Sequence, residues 1–151
     1  MIIKEEQRNL FSVSQDYSLA HCISKDFALG AGIARKFDDY YNMKARLLAQ
    51  YRDSVYNQPF EPCCLPVYLY PQYVFNLVTK EHYWQKPSYQ TLESALWDLL
   101  AHMRQKGVYK LAIPHIGCGL DRLEWSCVYH LLYKVFEYTD TEILVCSLRT
   151  E

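Results

Sequence analysis

The chain has 151 residues, of which 50% are hydrophobic and 22% are charged, and its formal net charge is -1. This length predicts one domain, over residues 1–151, that is large enough to bury a proper hydrophobic core. A charge this close to zero gives no electrostatic argument for a nucleic-acid or membrane partner, and no apolar run is long enough to span a bilayer.

The chain carries six cysteines, and their pattern predicts reduced thiols. No pair has the two-residue gap of a zinc knuckle, so no metal site is predicted. Cys63 and Cys64 are adjacent in the sequence, which is poor geometry for a mutual disulfide. The N-terminus shows no secretory apolar region. We therefore expect a cytoplasmic protein.

The first half of the chain predicts two strands and then a loop. Residues 1–4 favour a first strand and Ser18–Ser24 a second, bounded by polar residues. His21 and Cys22 lie in the middle of the second strand, where we predict a core or hydrogen-bonding role rather than metal ligation. Residues 26–32 then form a predicted loop that turns into a helix. Further along, the patterns predict a helix over Met43–Tyr51, a loop over residues 58–62, and strands over residues 63–68 and 73–79 with Pro71 in the turn between them.

Two amphipathic helices are predicted in the second half. The first has Ser88 as its N-cap and Gly107 as its C-terminal stop. Its apolar stripe consists of Leu92, Leu96, Leu99, Leu100 and Met103. The stripe of the second helix consists of Val128, Leu131, Leu132, Val135 and Phe136. Lys110–Ile113 between them favours a buried strand, and Glu142–Ser147 a closing strand. This alternation predicts an α/β fold with a mixed sheet flanked by helices.

Two pairs of glycines suggest a phosphate site. Gly30-Ala-Gly32 follows the second strand, and Gly117-Cys-Gly119 follows the strand at Lys110–Ile113. Loops at the carboxyl ends of strands converge in an open α/β sheet, and glycine loops offer peptide N–H groups that suit a diphosphate. Alternatively, each pair only supplies a turn. Neither loop is a Walker motif or a full dinucleotide fingerprint.

Two charged residues each allow two interpretations. Asp121-Arg-Leu-Glu124 matches a capping box, with Asp121 at the N-cap and Glu124 at N3. Asp121 could equally be a carboxylate held beside a ligand as a general base. Lys80 ends a strand, where a lysine is usually solvated. As an amine nucleophile it would have to be neutral.

Cys118 suggests a third kind of chemistry. A cysteine before a helix N-terminus gains thiolate character, and His115 lies near it in the sequence. A Cys/His hydrolase would need a third member, which the sequence does not clearly supply. The alternative is a small side chain tolerated between two glycines.

Five segments together resemble a known family. They are residues 18–24, 29–34, 77–80, 86–92 and 114–125, the last reading Pro-His-Ile-Gly-Cys-Gly-Leu-Asp-Arg-Leu-Glu-Trp. The chain resembles macrodomains, and most closely the terminal ADP-ribose protein glycohydrolase branch, which is related to the macrodomain of the chromatin remodeller called amplified in liver cancer. The match runs in order over most of the chain. It implies a three-layer α/β/α domain with a mixed central sheet that binds ADP-ribose.

The resemblance also implies which residues form the site. Lys80 and Asp121 match the catalytic pair: Lys80 attacks the distal ribose and displaces the carboxylate of a modified glutamate or aspartate, and Asp121 resolves the lysyl–ADP-ribose intermediate. Relatives also deacylate O-acyl-ADP-ribose. The implied ligand-binding residues are Asn9, Leu10, Ile23, Ser24, Leu29, Gly30, Gly32, Ile33, Thr79, Pro114, Ile116, Gly117, Cys118, Gly119 and Leu120.

The implied function is an ADP-ribosyl hydrolase without a cofactor, and the alternative is a non-catalytic module that reads ADP-ribose. The expected partners are ADP-ribose and ADP-ribosylated protein, with ADP-ribosylated nucleic acid as a further class, and no membrane; a monomer is expected. Two departures stand out. Asn9 replaces the aspartate that contacts adenine in the family, and an amide brings no charge there. Residues 38–72, which are rich in tyrosine, match poorly.

Overall fold

A six-stranded mixed sheet lies in the middle of the computed structural model, which describes residues 1–148. The last three residues of the predicted domain, 149–151, lie outside the described residues. The strands are β1 Ile2–Gln7, β2 Ser18–Ser24, β3 Cys63–Leu69, β4 Gln72–Lys80, β5 Lys110–Ile113 and β6 Glu142–Ser147. They are arranged in the order β1-β6-β5-β2-β4-β3, with β3 and β4 antiparallel and the other neighbours parallel.

Helices cover both faces of the sheet. They are α1 Gly32–Tyr41, α2 Met43–Tyr51, α3 Tyr89–Lys106 and α4 Trp125–Phe136, with a 3-10 turn at Leu10–Ser12 and a π-helical segment at Arg52–Tyr56. Because side chains alternate along a strand, each of the strands β2 to β6 contributes side chains to two cores. In β2, for example, Ala20 packs in the core under α3 and α4, whereas Leu19 packs in the core under α1 and α2. The predicted three-layer α/β/α arrangement is confirmed.

Most predicted elements occur where the sequence pattern places them. Ser18–Ser24, Met43–Tyr51, Lys110–Ile113 and Glu142–Ser147 have the predicted bounds. The first strand is longer than residues 1–4, because β1 continues through polar residues to Gln7. In the described residues, no helix combines the length and apolar character needed to cross a membrane.

The caps of α3 agree with the prediction. The hydroxyl of Ser88 accepts a hydrogen bond from the Thr91 amide at 3.0 Å, and the Thr91 hydroxyl accepts one from the Ser88 amide at 3.1 Å. Gly107 ends the helix in the left-handed conformation, with a φ of +66°, which glycine adopts at little cost.

His21 has the predicted core role. It is fully buried, its ring stacks on Phe37 with centroids 3.8 Å apart, and its Nε2 lies 2.6 Å from Oδ1 of Asn76. The amide nitrogen of Asn76 donates to the Leu65 carbonyl, so the amide oxygen accepts and Nε2 of His21 carries the proton. A second proton would go on Nδ1, which has no hydrogen-bond partner among the described residues. Burial accordingly lowers the pKa of His21 to about 4.

This burial makes stability depend on pH. A histidine in the unfolded chain titrates at about 6.5, so between that pH and the folded pKa of about 4 the unfolded state binds more protons. The free energy of unfolding should therefore fall as the pH drops through this window, by about 2 kcal/mol between pH 7 and pH 5. Urea unfolding at both pH values measures it. A His21→Gln variant, which does not titrate, should lack this component, and an equal loss in the variant would contradict the assignment.

Candidate active site

Three parallel strands end at one edge of the sheet and open into a cleft. The strand β2 lies between β4 and β5, and the three end at Ser24, Lys80 and Ile113. The loops that follow them enclose a cavity of about 810 Å³, a size typical of small-molecule sites.

The loop after β2, residues 25–32, forms one wall of the cleft and is called here the first glycine loop. Phe27 and Leu29 adopt left-handed backbone conformations, with φ of +50° and +43°, which cost a residue with a side chain about 1–2 kcal/mol. Both side chains are buried in the core, and that burial holds the strained loop in place. Among residues 1–148, no partner accepts the amide N–H groups of Gly32, Ile33 and Ala34 at the start of α1. These three residues line the cleft, and unpaired amides at a helix N-terminus suit an anion.

The opposite wall is the loop after β5, residues 114–124, called here the second glycine loop. The amides of Gly117, Gly119 and Leu120 also lack acceptors within the described part of the chain. The sequence suggested that this loop leads directly into a helix, but α4 begins only at Trp125. The loop closes on itself instead, because the Leu123 amide donates to the Gly117 carbonyl at 2.7 Å.

The two glycine loops meet across the cleft. Gly32 has a φ of +60°, and a Cβ at this position would lie 3.3 Å from Cδ1 of Leu120. Gly117 has a φ of +73°, and a Cβ there would lie 2.9 Å from Cδ1 of Leu123. Both positions therefore favour glycine for a steric as well as a conformational reason. The predicted convergence of the loops is what the structure shows.

Lys80 and Asp121 contact each other on the floor of the cleft. Nζ of Lys80 donates to Oδ1 of Asp121 at 2.6 Å, and the two side chains are only 14% and 15% exposed. The capping-box interpretation of Asp121 is wrong, because the N-cap of α4 is Glu124. The carboxylate of Asp121 binds Lys80, a residue 41 positions away in the sequence.

Cys118 lies in the cleft wall without a catalytic partner. Its thiol donates to the Ile116 carbonyl at 3.4 Å, and burial raises the pKa of this thiol to about 11. His115 instead stacks on Trp125, with centroids 4.4 Å apart, and its Nε2 lies 3.4 Å from Oε1 of Glu5. The geometry does not form a Cys–His pair, and the thiol is protonated at neutral pH. In the part of the chain that the structure describes, no group of three or more His, Cys, Asp and Glu side chains could hold a metal ion.

Most predicted site residues line the cleft, and three do not. Asn9 is exposed, and its Oδ1 accepts a hydrogen bond from the Phe11 amide at 2.9 Å, capping the 3-10 turn. Leu10 and Thr79 are buried. Those that line the cleft are Ile23, Ser24, Leu29, Gly30, Gly32, Ile33, Lys80, Pro114, Ile116, Gly117, Cys118, Gly119, Leu120 and Asp121.

Asp26 is a structural residue of the site that sequence reasoning missed. Its Oδ1 accepts from the Ser24 hydroxyl at 2.5 Å and from the Ala28 amide at 3.1 Å. Its Oδ2 accepts from the Tyr83 amide at 2.9 Å. The bond to Ala28 is an Asx turn, which an aspartate in a predicted loop could have suggested. The bond to Tyr83 joins two separate loops, so no local sequence pattern indicates it.

The two glycines of the second glycine loop provide a matched test. Gly117→Ala should lower the free energy of unfolding by about 1–2 kcal/mol, because alanine is strained at a positive φ and its Cβ meets Leu123. Gly119→Ala should change it by less than about 0.5 kcal/mol, because nothing lies within 4 Å of a Cβ there. Urea denaturation measures both variants. Equal effects of the two substitutions would mean that the backbone conformation at position 117 does not disfavour alanine.

Comparison with known proteins gives consistent matches. The family model described as "Macro domain" matches residues 20–132. The human protein named ADP-ribose glycohydrolase OARD1 is 39% identical over 140 residues, which cover 93% of this chain and 88% of that protein. Among solved structures, the macrodomain of Mycobacterium tuberculosis DarG has a TM-score of 0.85 at 20% identity, with 97% of each chain covered. The macrodomain of Thermus aquaticus DarG has a TM-score of 0.83 at 20% identity, covering 97% of this chain and 98% of that one.

Proposed function

The chain belongs to the macrodomain family, and from this premise we propose that it is a hydrolase that releases ADP-ribose from modified side chains. The observation that carries the proposal is the contact of 2.6 Å between Lys80 and Asp121 on the floor of the cleft. The name of the human relative, an ADP-ribose glycohydrolase, supports the same activity.

The two walls of the cleft support ADP-ribose as the ligand. The unpaired amides at the start of α1 and those of the second glycine loop belong to residues that line the same cleft, and amides from two sides suit the two phosphates of a diphosphate. With the diphosphate held there, the distal ribose lies toward Lys80 and Asp121. A contact between Asn9 and adenine stays a prediction, since the Oδ1 of Asn9 already accepts a hydrogen bond.

The reaction begins with Lys80 as the nucleophile. Its Nζ must lose a proton before it attacks, and the Asp121 carboxylate is placed to accept that proton. A bond then forms between Nζ and the anomeric carbon of the distal ribose. The bond from that carbon to the carboxylate oxygen of a modified glutamate or aspartate breaks, and the carboxylate leaves with the electron pair. The departing carboxylate takes the proton that Asp121 accepted from Lys80, so Asp121 is ionised again.

Water completes the cycle. Asp121 acts as a general base toward a water molecule, which forms a bond to the same carbon. The bond between that carbon and Nζ breaks and returns its electrons to the amine. The products are ADP-ribose and the unmodified side chain, so atoms and electrons balance without a further reactant. The alternative is a reader module, in which the contact between Lys80 and Asp121 is only an ion pair.

We also propose a cytoplasmic location. The support is that all six cysteines are free thiols, as is usual in a reducing compartment.

Substitutions of Lys80 and Asp121 distinguish a hydrolase from a reader module. Lys80→Ala should keep ADP-ribose binding within a few fold and lose turnover by roughly 1,000-fold or more, because the nucleophile is gone. Asp121→Ala should accumulate enzyme that carries one ADP-ribosyl group, because hydrolysis of the intermediate lacks its base. Calorimetry with ADP-ribose, product release from a peptide ADP-ribosylated on glutamate, and intact-protein mass spectrometry measure the three effects.

The control is Lys134→Ala, which removes an exposed lysine that pairs with Glu93 on the surface and should leave turnover unchanged. Wild-type turnover by Lys80→Ala would contradict the mechanism. Loss of turnover in Cys118→Ser but not in Lys80→Ala would favour a cysteine hydrolase. Tight binding with no product from the wild-type protein would identify a reader.

A further inference from the structure

Asp26 lies outside the cleft lining, near the point where β2 and β4 leave the sheet. It is half-buried, and within the described part of the chain its carboxylate forms no ion pair. Three hydrogen bonds take the place of a cation, from the Ser24 hydroxyl and from the amides of Ala28 and Tyr83. A carboxylate that is partly removed from water needs such partners. All three donors belong to segments that form the site.

The sheet is irregular next to Asp26. The register of β2 against β4 shifts just before Ser24, which brings Ser24 level with Lys80. Beyond this shift, the Lys25 amide donates to the Lys80 carbonyl at 2.9 Å, and the Asp26 amide donates to the Glu81 carbonyl at 3.2 Å. Irregular pairing of this kind beside an active site redirects a side chain. Here the side chain at the irregularity is that of Lys80.

The two carboxylate oxygens of Asp26 hold the segments on either side of this irregularity. Oδ2 accepts a hydrogen bond at 2.9 Å from the amide of Tyr83, which follows Lys80 by three residues. Oδ1 accepts one at 3.1 Å from the amide of Ala28, which lies between two residues of the first glycine loop that have positive φ. The carboxylate therefore joins the segment after Lys80 to the first glycine loop, and the position of one depends on that of the other.

The third hydrogen bond of Asp26 fixes the polarity of a hydroxyl in the cleft. The Ser24 hydroxyl donates its only proton to Oδ1 of Asp26 at 2.5 Å. Ser24 also lines the cleft, where its oxygen can then only accept hydrogen bonds. A ribose hydroxyl is a suitable donor to such an oxygen. Asp26 thus fixes the side chain that lies level with Lys80, as well as the segment that follows Lys80.

We propose that Asp26 is a positioning residue, which aligns Lys80 with the first glycine loop and therefore with a ligand that this loop holds. The inference rests on the proposed hydrolase function and adds to it a residue that does not touch the substrate. A misplacement of about 1 Å between reacting atoms can lower a rate by roughly 100-fold. Affinity should depend less on Asp26, because burial of the Phe27 and Leu29 side chains also holds the first glycine loop.

The test compares the same substitution at two aspartates. Asp26→Asn keeps one acceptor oxygen and should lower kcat about tenfold, whereas Asp26→Ala keeps none and should lower kcat about 100-fold. The affinity of both variants for ADP-ribose should stay within about threefold of the wild type. Asp38→Asn is the matched control and should leave kcat unchanged, because Asp38 is also half-buried and accepts a backbone amide, that of Lys44 at 2.9 Å, but lies outside the site. Turnover of a peptide ADP-ribosylated on glutamate and calorimetry with ADP-ribose measure these values, at a temperature where circular dichroism shows every variant folded.

Three kinetic results would overturn the positioning role. A loss of affinity as large as the loss of kcat would assign Asp26 to ligand binding. Equal losses of kcat in Asp26→Asn and Asp26→Ala would mean that the charge matters and not the hydrogen bonds. An unchanged kcat in Asp26→Asn would also overturn the role, even if Asp26→Ala does not fold.

A crystal structure makes the test independent of turnover. In Asp26→Ala, Nζ of Lys80 should move by about 1 Å from its place 2.6 Å from Oδ1 of Asp121. An unmoved Lys80 would overturn the positioning role. A wild-type protein that releases no ADP-ribose would refute the hydrolase function instead, and the position of Lys80 in the variant would still decide what Asp26 does.

Discussion

The parallel pairing of β2 with both β4 and β5 places the ends of three strands side by side. Each strand delivers a different component to that edge. From β2 comes the first glycine loop, from β5 the second, and from β4 comes Lys80 itself. Residues far apart in the chain meet because parallel strands point their carboxyl ends the same way. The antiparallel strand β3 only extends the sheet beyond β4.

The site carries local costs that the core offsets. Left-handed conformations at Phe27 and Leu29 and a poorly solvated pair of charges at Lys80 and Asp121 are each unfavourable on their own. Burial of the Phe27 and Leu29 side chains contributes about 1.5–3 kcal/mol each, enough to hold the loop. Lys80 and Asp121 each provide the partner that the other needs, so the ion pair also joins the end of β4 to the second glycine loop.

Sequence patterns predicted the helices and strands whose ends depend on local interactions. They did not predict side-chain roles that depend on contacts between residues far apart in the sequence. The bounds of β5 and β6 follow from short apolar runs, and the start of α3 follows from the hydroxyl of Ser88. By contrast, Asp121 matches a capping box in the sequence, but its carboxylate binds Lys80 instead. The side chain of Asn9 makes a local contact, the cap of the 3-10 turn, and its contact with adenine stays a prediction. The role of Asp26 was not predicted, because its bond to the Tyr83 amide joins two loops that are far apart in the sequence.

The central claim is that the cleft holds ADP-ribose with its distal ribose against Lys80 and Asp121. A crystal structure of the protein with ADP-ribose tests it most directly. The account predicts the diphosphate between the amides at Gly32–Ala34 and those of the second glycine loop. It also predicts the anomeric carbon about 3–3.5 Å from Nζ of Lys80, the separation of a near-attack geometry. A ligand bound outside the cleft, or one whose distal ribose points away from Lys80, would contradict it.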